Sequence, residues 1–192
     1  LKGVQAEYIP IDLRTEEHLG QAFKAINPQG FVPALVDDQL VLTQSPAIIE
    51  WLEEAYPEPA LLPEDLNHRA YIRALAAIVG CDMHPLNNRR VLERLRHEMG
   101  HDQEAIQAWC TTWLKDGFDA FEALLKGRQL YGAFCYADQP SIADVYLIAQ
   151  IEGARRFKVD ISDWPLIAKI EQNCMALEAF KKAAPMEQID AA

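Results

Sequence analysis

The stretch that decides the fold is residues 27–56, NPQGFVPALVDDQLVLTQSPAIIEWLEEAY. Its first half predicts two short strands, residues 31–36 and 40–42, joined by a hairpin-like connection at an Asp-Asp-Gln triplet. Its second half predicts a helix over residues 45–56, because apolar residues recur there at helical spacing. The stretch therefore predicts a strand–strand–helix unit.

Two positions in this stretch present binding groups. Ser45 is the expected N-cap of the helix, because Pro46 occupies the first helical position, and such a helix start can bind a carboxylate. Val32 precedes Pro33 and offers an extended backbone edge that can pair with a peptide. The structural alternatives are that Ser45 only caps the helix and that Pro33 is a tolerated proline at a strand start.

The flanking sequence suggests where a first domain ends. Residues 4–13 are expected to be extended and residues 15–26 helical, with Thr15 as the cap. After the stretch, the run YPEPALLPED carries three prolines and cannot continue a helix. We therefore place a domain boundary there, with residues 1–62 in one domain and residues 63–192 in the other.

The second domain is expected to be all helical, with Pro85 interrupting or kinking one of its helices. Its main predicted helices are residues 67–78, 87–99, 103–125, 141–156 and 164–177, followed by a short tail helix. Ser141 and Asp144 have the spacing of a capping box, in which the serine caps the helix and the acid reaches back. Asp144 is therefore interpreted as a structural group, with catalysis as the alternative.

Composition argues against several classes of function. The chain has 18 Lys and Arg against 29 Asp and Glu, a net charge of −11, which disfavours a nucleic acid or an anionic membrane as partner. No apolar run approaches the length of a membrane span. The four cysteines are far apart and show no metal-binding spacing, which predicts reduced thiols, no metal site and a cytoplasmic protein.

Positive charge nevertheless collects at two places in the helical half. One group flanks the Pro85 break, and the other ends the helix predicted over residues 141–156. The polar members of these groups are His84, Asn88, Arg89, Arg90, Arg155 and Arg156. A solvated helix face and a favourable pairing with a helix C-terminus, about 0.3–1 kcal/mol, are the structural interpretations. The functional alternative is a site for carboxylates, which arginine holds bidentately.

The chain resembles the glutathione transferases, and within them the zeta class, which includes maleylacetoacetate and maleylpyruvate isomerases. The resemblance rests on the segments NPQG, VPAL and QSPAIIE in the first half and CDMHPLNN and RFKVD in the second. It implies an α+β chain with the glutathione-transferase fold, a thioredoxin-like N-terminal domain followed by an all-α C-terminal domain. It also implies that a strand and a helix of about 20 residues, with the motif that holds the glutathione sulfur, come ahead of Leu1.

The same resemblance implies glutathione as the cofactor. Val32 is expected to pair its backbone with the cysteinyl unit of glutathione, and the family holds the equivalent of Pro33 in the cis form. Ser45 and Gln44 are expected to bind the γ-glutamyl carboxylate.

Further cofactor contacts are implied at the other end of glutathione and across a homodimer. Gln29 and His18 are candidates for the glycyl end, with a solvated helix histidine as the alternative for His18. Asp82 is a candidate for the γ-glutamyl ammonium of glutathione bound to a partner subunit. The family also implies that the chain forms a homodimer.

The implied function is glutathione-dependent cis–trans isomerisation of maleylacetoacetate or a similar cis-enedioic keto acid. Arg156 and His84 are the expected catalytic residues, and Asn88, Arg89 and Arg90 join Arg156 in binding the small dianionic substrate. Glutathione adds as a thiolate to the double bond, which rotates as a single bond before glutathione leaves. The alternatives are a general glutathione transferase that conjugates small electrophiles and a non-catalytic dimerising module.

Overall fold

The computed structural model describes residues 1–190 of the chain. Contacts divide the chain into two compact units, Leu61–Phe180 and, as the other unit, Leu1–Ala60 together with the tail that begins at Lys181. The division falls after Ala60, two residues before the boundary expected from the proline-rich run.

The first unit contains the hairpin and the helix predicted from residues 27–56. Strands β1 (Ala34–Asp37) and β2 (Leu40–Thr43) pair antiparallel with Leu35 opposite Leu42. Helices α1 (Gln21–Ile26) and α2 (Ser45–Ala55) flank them in sequence. The predicted strand–strand–helix order is confirmed, although β1 begins three residues later than the prediction of residues 31–36.

The single helix predicted over residues 15–26 is wrong, because the chain breaks at Gly20. A 3₁₀ turn, Glu17–Leu19, comes first, and Gly20 then adopts an extended conformation (φ −67°, ψ 157°) as the N-cap of α1. Thr15 is not a cap, since its hydroxyl donates to the Asp12 carbonyl at 3.2 Å. Glycine is a poor helix former, and a break there costs less than at any other residue except proline.

The remaining helices follow after the proline-rich run. They are α3 (Leu66–Ala77), α4 (His84–Asn87), α5 (Arg89–His97), α6 (Gln103–Arg128), α7 (Ile142–Arg156), α8 (Pro165–Ala176) and α9 (Glu178–Ala183). The core of the second unit is built largely on α6 and α7, where fully buried side chains recur at helical spacing. Among them are Leu114, Phe118, Phe121, Leu147 and Ile151. No helix within residues 1–190 is both long and apolar enough to cross a membrane.

The expected break at Pro85 is displaced to Asn88. A π-helical segment, Ile78–Met83, continues α3 and leads directly into α4. Pro85 lies in the first turn of α4, where its missing N–H is not needed. The backbone turns away at Asn88 (φ −67°, ψ 143°), whose side chain caps α5. Pro85 therefore lies where the π-helical segment passes into α4, and the helical run ends only at Asn88.

The capping box at the start of α7 is confirmed. The Asp144 carboxylate accepts the Ser141 N–H and the Ser141 hydroxyl, each at 2.7 Å, and the Cys135 N–H at 2.9 Å. Asp144 is fully buried, and burial raises the pKa of its carboxyl. Its contacts are those of a structural residue.

Candidate functional site

A buried asparagine shapes the loop that leads into β1. Asn27 donates its side-chain N–H to the Phe31 carbonyl at 2.6 Å, and its side-chain oxygen accepts the Gln29 N–H at 3.1 Å. Gly30 has a positive φ of 65°, and a Cβ there would lie 2.9 Å from the His18 carbonyl oxygen. Sequence reasoning missed Asn27 as a site residue, although asparagine before Pro-Gln-Gly is a typical turn signal.

This loop presents Val32 just ahead of the sheet. Val32 is 43% exposed, and β1 begins only at Ala34. Among the backbone hydrogen bonds of residues 1–190, none uses the Val32 N–H or carbonyl outside the strand pairing. The Val32–Pro33 peptide bond is cis, as the resemblance implies. An exposed backbone with both polar groups available is the arrangement that pairs with an extended peptide.

The start of α2 differs from the expected cap. Gln44, with φ 71°, is the N-cap, and its carbonyl accepts the Ile48 N–H at 3.1 Å, so Ser45 is the first helical residue. No side-chain cap bond is made at this helix start. The expectation that Ser45 caps α2 is therefore wrong, and its hydroxyl is left for another acceptor or donor. The first N–H groups of a helix have no intrahelical acceptor, so they favour an anion.

The structure brings together three of the predicted glutathione contacts. The Gln44 side chain donates to the Gln29 side-chain oxygen at 2.5 Å, which joins the helix start to the loop. The His18 main chain lies against Gly30 of the same loop. The His18 Nδ1 atom is buried and has no hydrogen-bond partner among the described residues. This ring nitrogen is therefore out of contact with solvent, which argues against a freely solvated histidine.

The predicted substrate groups of the second unit lie at the starts of α4 and α5 and at the end of α7. His84 begins α4, and Arg89 and Arg90 begin α5 as exposed residues. The Asn88 side-chain oxygen accepts the Arg90 N–H at 3.2 Å, so it is engaged in capping α5. Its side-chain N–H₂ group is the part that remains for a substrate. Asp82 is exposed on the π-helical segment.

His84 has an unusual environment for an exposed residue. The residue is exposed, yet neighbouring atoms partly desolvate the imidazole ring, and this desolvation lowers its pKa from the ordinary value of 6.5. Because the ordinary pKa of 6.5 already lies below 7, the neutral ring, which can accept a proton, is the main form at pH 7, and the lowered pKa increases its share.

The two arginines that end α7 differ in their pairing. Arg155 is bound by the carboxylates of Glu152 and Glu171. Arg156 is exposed and has no salt bridge or side-chain hydrogen bond to any residue between 1 and 190. Arg156 is therefore a cation whose guanidinium remains available to an added carboxylate.

The cysteines and the metal-type ligands of residues 1–190 form neither a disulfide nor a metal cluster. Within the described part of the chain, no three His, Cys, Asp or Glu side chains cluster in a way that could hold a metal ion. All four cysteines are free thiols, with Cys81 exposed and the other three buried.

Comparisons with known proteins show which family the chain belongs to. Residues 1–55 match the family described as glutathione S-transferase, N-terminal domain. The maleylpyruvate isomerase of a Ralstonia species is 57% identical over 192 residues, which is 100% of this chain and 91% of the relative. A holo structure of maleyl pyruvate isomerase, described as a bacterial zeta-class glutathione S-transferase, superposes with a TM-score of 0.98 at 57% identity, covering 100% of this chain and 91% of the other.

A more distant structure carries bound molecules. The maleylacetoacetate isomerase of Methylobacterium extorquens AM1, with bound malonate and glutathione, has a TM-score of 0.96 at 37% identity and covers 100% of this chain and 90% of its own. Identity at this level over the full chain establishes membership. The chain belongs to the zeta class of the glutathione transferase family and has the glutathione-transferase fold.

Proposed function

We propose that this protein is a glutathione-dependent cis–trans isomerase of maleylpyruvate, maleylacetoacetate or a similar cis-enedioic keto acid. The observation that carries the proposal is Arg156, an exposed guanidinium without a carboxylate partner among residues 1–190, beside an identical residue that is fully paired. The names of the relatives support the same reaction. A chain of net charge −11 with unneutralised arginine suits a small anionic substrate.

The first unit offers groups that fit glutathione. Val32 supplies a backbone donor and acceptor for a peptide, and Ser45 supplies a hydroxyl and an N–H at a helix start for a carboxylate. Gln44 lies next to Ser45, and His18 holds a buried nitrogen without a partner among the described residues. The maleyl pyruvate isomerase structure is described as holo, and the M. extorquens structure as containing glutathione. When bound, glutathione supplies a thiol whose thiolate adds reversibly to an activated double bond.

The second unit offers cations for the substrate. Arg156, Arg89 and Arg90 are exposed guanidinium groups, and such groups bind carboxylates through two parallel hydrogen bonds. Malonate, which the M. extorquens relative binds together with glutathione, is also a dicarboxylate. As negative charge moves onto the keto oxygen, fixed cations and the His84 ring stabilise it or exchange a proton with it. The residues thus orient the two acid groups while the central bond turns.

Conjugation of small electrophiles is the second candidate function. The groups assigned to glutathione serve either reaction, and a zeta-class glutathione S-transferase of Euphorbia esula is 37% identical to this chain. Measurement of isomerisation and of haloacid conjugation on the same sample separates the two activities. A faster conjugation would make isomerisation secondary.

A pair of adjacent arginine variants tests the proposed function. We expect Arg156→Ala to lower kcat/KM for maleylpyruvate at least 100-fold while the Kd for glutathione, measured by calorimetry, stays within twofold. Arg155→Ala is the matched control, because that guanidinium is already paired with Glu152 and Glu171, and we expect its activity to stay within threefold. Unchanged turnover of Arg156→Ala, or an inactive wild type, would refute the proposal.

We also propose that the chain is a homodimer in which Asp82 of one subunit binds the ammonium of glutathione held by the other. The exposed position of Asp82 supports this role. Sedimentation equilibrium would measure the mass, and Asp82→Asn should weaken glutathione binding without changing that mass. A monomer at working concentrations would contradict the arrangement.

A further inference from the structure

Two side chains of α6 bind main-chain carbonyls beside the proposed substrate groups. Gln107 donates its side-chain N–H to the carbonyl of Phe157, the residue that follows Arg156. Trp109 donates its indole N–H to the carbonyl of Leu86 at 2.9 Å, in the short helix that begins with His84. Neither α6 side chain belongs to the groups assigned to glutathione or to the substrate.

Both carbonyls lie at helix ends, where main-chain oxygens have no partner inside the helix. The end of α7 closes with a Schellman motif, in which the Val159 N–H donates to Ala154 at 3.2 Å and the Lys158 N–H donates to Arg155 at 3.0 Å. The Phe157 carbonyl takes no part in that motif and is bound by Gln107 instead. These bonds together hold the last turn of α7, which carries Arg156.

Helix α4 needs a similar anchor, because it has only four residues and ends where the chain turns at Asn88. The Leu86 carbonyl lies beyond the reach of any N–H within so short a helix. Trp109 supplies the missing donor, and its ring packs edge-on against Trp113 at 5.6 Å between centroids. The contact with Trp113 therefore helps to hold the Trp109 side chain in the position where it donates to Leu86.

Gln107 and Trp109 lie two residues apart on α6, and this spacing fixes how the two elements that they bind are placed around the helix. Residues two apart in a helix are separated by about 3 Å along the axis and point about 200° apart around it. Gln107 and Trp109 therefore reach to opposite sides of α6 at nearly the same height. A helix of 26 residues with a fully buried apolar face is a rigid spacer between the elements that carry His84 and Arg156.

We propose that Gln107 and Trp109 are positioning residues, which set the distance between the His84 side and the Arg156 side of the substrate site. This role rests on the proposed isomerase function. Catalysis depends on placement, because a displacement of about 1 Å can cost on the order of 100-fold in rate. Loss of either anchor should therefore lower activity without removing any group that touches the substrate.

The first test replaces Gln107 with methionine, which keeps the length of the side chain and removes its N–H donors. We expect Gln107→Met to lower kcat for maleylpyruvate on the order of tenfold, with the glutathione Kd and the thermal midpoint nearly unchanged. The double variant Gln107→Met/Arg156→Ala should have the same kcat as Arg156→Ala alone, because Gln107 acts through Arg156 and its loss then has no further effect. Thr112→Val, which removes an exposed hydroxyl bonded within α6, is the control and should keep full activity.

The second test replaces Trp109 with phenylalanine, which keeps an aromatic ring and removes the indole N–H. Its matched control is Trp164→Phe, which loses an indole hydrogen bond to Asp119 of 2.6 Å elsewhere in the same unit. We expect kcat to fall several-fold in Trp109→Phe and to stay within twofold in Trp164→Phe, even if both variants lose similar stability.

The outcomes separate this inference from the proposed function. An active wild type with unchanged kcat in Gln107→Met and Trp109→Phe would overturn the positioning role alone. Losses that multiply in the Gln107→Met/Arg156→Ala variant would also overturn it, because independent effects multiply. A wild type without isomerase activity would overturn the proposed function and this role together.

Discussion

At the scale of single residues, the end of α7 shows how pairing separates two identical side chains. Successive helical residues point about 100° apart, so Arg155 and Arg156 face different neighbours. Arg155 reaches Glu152 one turn back and Glu171 on α8, whereas Arg156 reaches no carboxylate within the described residues. Both guanidinium groups can still stabilise α7 by about 0.3–1 kcal/mol, because cations interact favourably with a helix C-terminus. Arg156 can therefore stabilise the helix and bind a ligand at the same time.

His84 should titrate below its ordinary pKa of 6.5, because its ring is desolvated. The folded chain then binds a proton at this site less readily than the unfolded chain does. The contribution of His84 to stability is therefore present above the unfolded pKa and is lost as the pH falls through 6.5 towards the folded value. NMR titration of the imidazole protons, with the urea-unfolded chain as reference, measures the shift. A folded midpoint at or above 6.5 would contradict it.

At the scale of elements, the start of α7 shows how burial strengthens a capping motif. An exposed capping residue contributes about 1 kcal/mol. Here the carboxylate is fully buried and also binds the Cys135 N–H from the preceding loop. The motif therefore fixes both the helix start and the segment before it, and these hydrogen bonds offset the cost of burying the acid.

Asp144→Ala should destabilise the protein by about 3 kcal/mol, because the buried Ser141 and Cys135 N–H groups lose their acceptor and unsatisfied buried donors cost about 1–3 kcal/mol each. Urea unfolding measures the change in the free energy of unfolding. Asp116→Ala on the exposed face of α6 is the control and should stay within about 0.5 kcal/mol. A loss below about 1 kcal/mol for Asp144→Ala would show that the box is a simple surface cap.

Two glycines of α6 should respond in opposite directions to the same substitution. A Cβ on Gly117 would overlap Cγ of Met83 at the end of the π-helical segment, whereas a Cβ on Gly127 meets no atom within 4 Å. We expect Gly117→Ala to cost about 1–3 kcal/mol through overpacking. Gly127→Ala should stabilise the helix by about 0.5–1 kcal/mol. Thermal unfolding of both variants decides, and destabilisation by Gly127→Ala would contradict the helix-propensity argument.

At the scale of the whole molecule, ligand linkage connects the proposed glutathione groups to global stability. A ligand that binds only the folded state adds about 2.7 kcal/mol at a concentration of 100 times its Kd. Glutathione should therefore raise the thermal midpoint of the wild type in a concentration-dependent way. Ser45→Ala should lose most of this increase at the same concentrations.

The same variant supplies its own control. Without glutathione, Ser45→Ala should be as stable as the wild type within about 0.5 kcal/mol, because no side-chain cap bond is made at the start of α2. Equal midpoint increases in the two proteins would show that Ser45 does not contact glutathione. A large loss of stability without glutathione would show that Ser45 caps α2 after all.

Local sequence patterns by themselves determined most of the secondary structure and the family of this protein. Alternating and helical apolar spacing predicted the hairpin, α2 and most helices of the second unit, because these signals depend on residues a few positions apart. The Ser141–Asp144 capping box and the family motifs were equally visible in the sequence. The family membership that follows from them is confirmed by the comparisons.

Only the tertiary structure decided features that depend on distant partners. Glu171 neutralises Arg155 from a different helix, so no local pattern distinguishes that arginine from Arg156. The Gln107 and Trp109 anchors span 50 and 23 residues, and contacts at such separations form only when packing brings helices together.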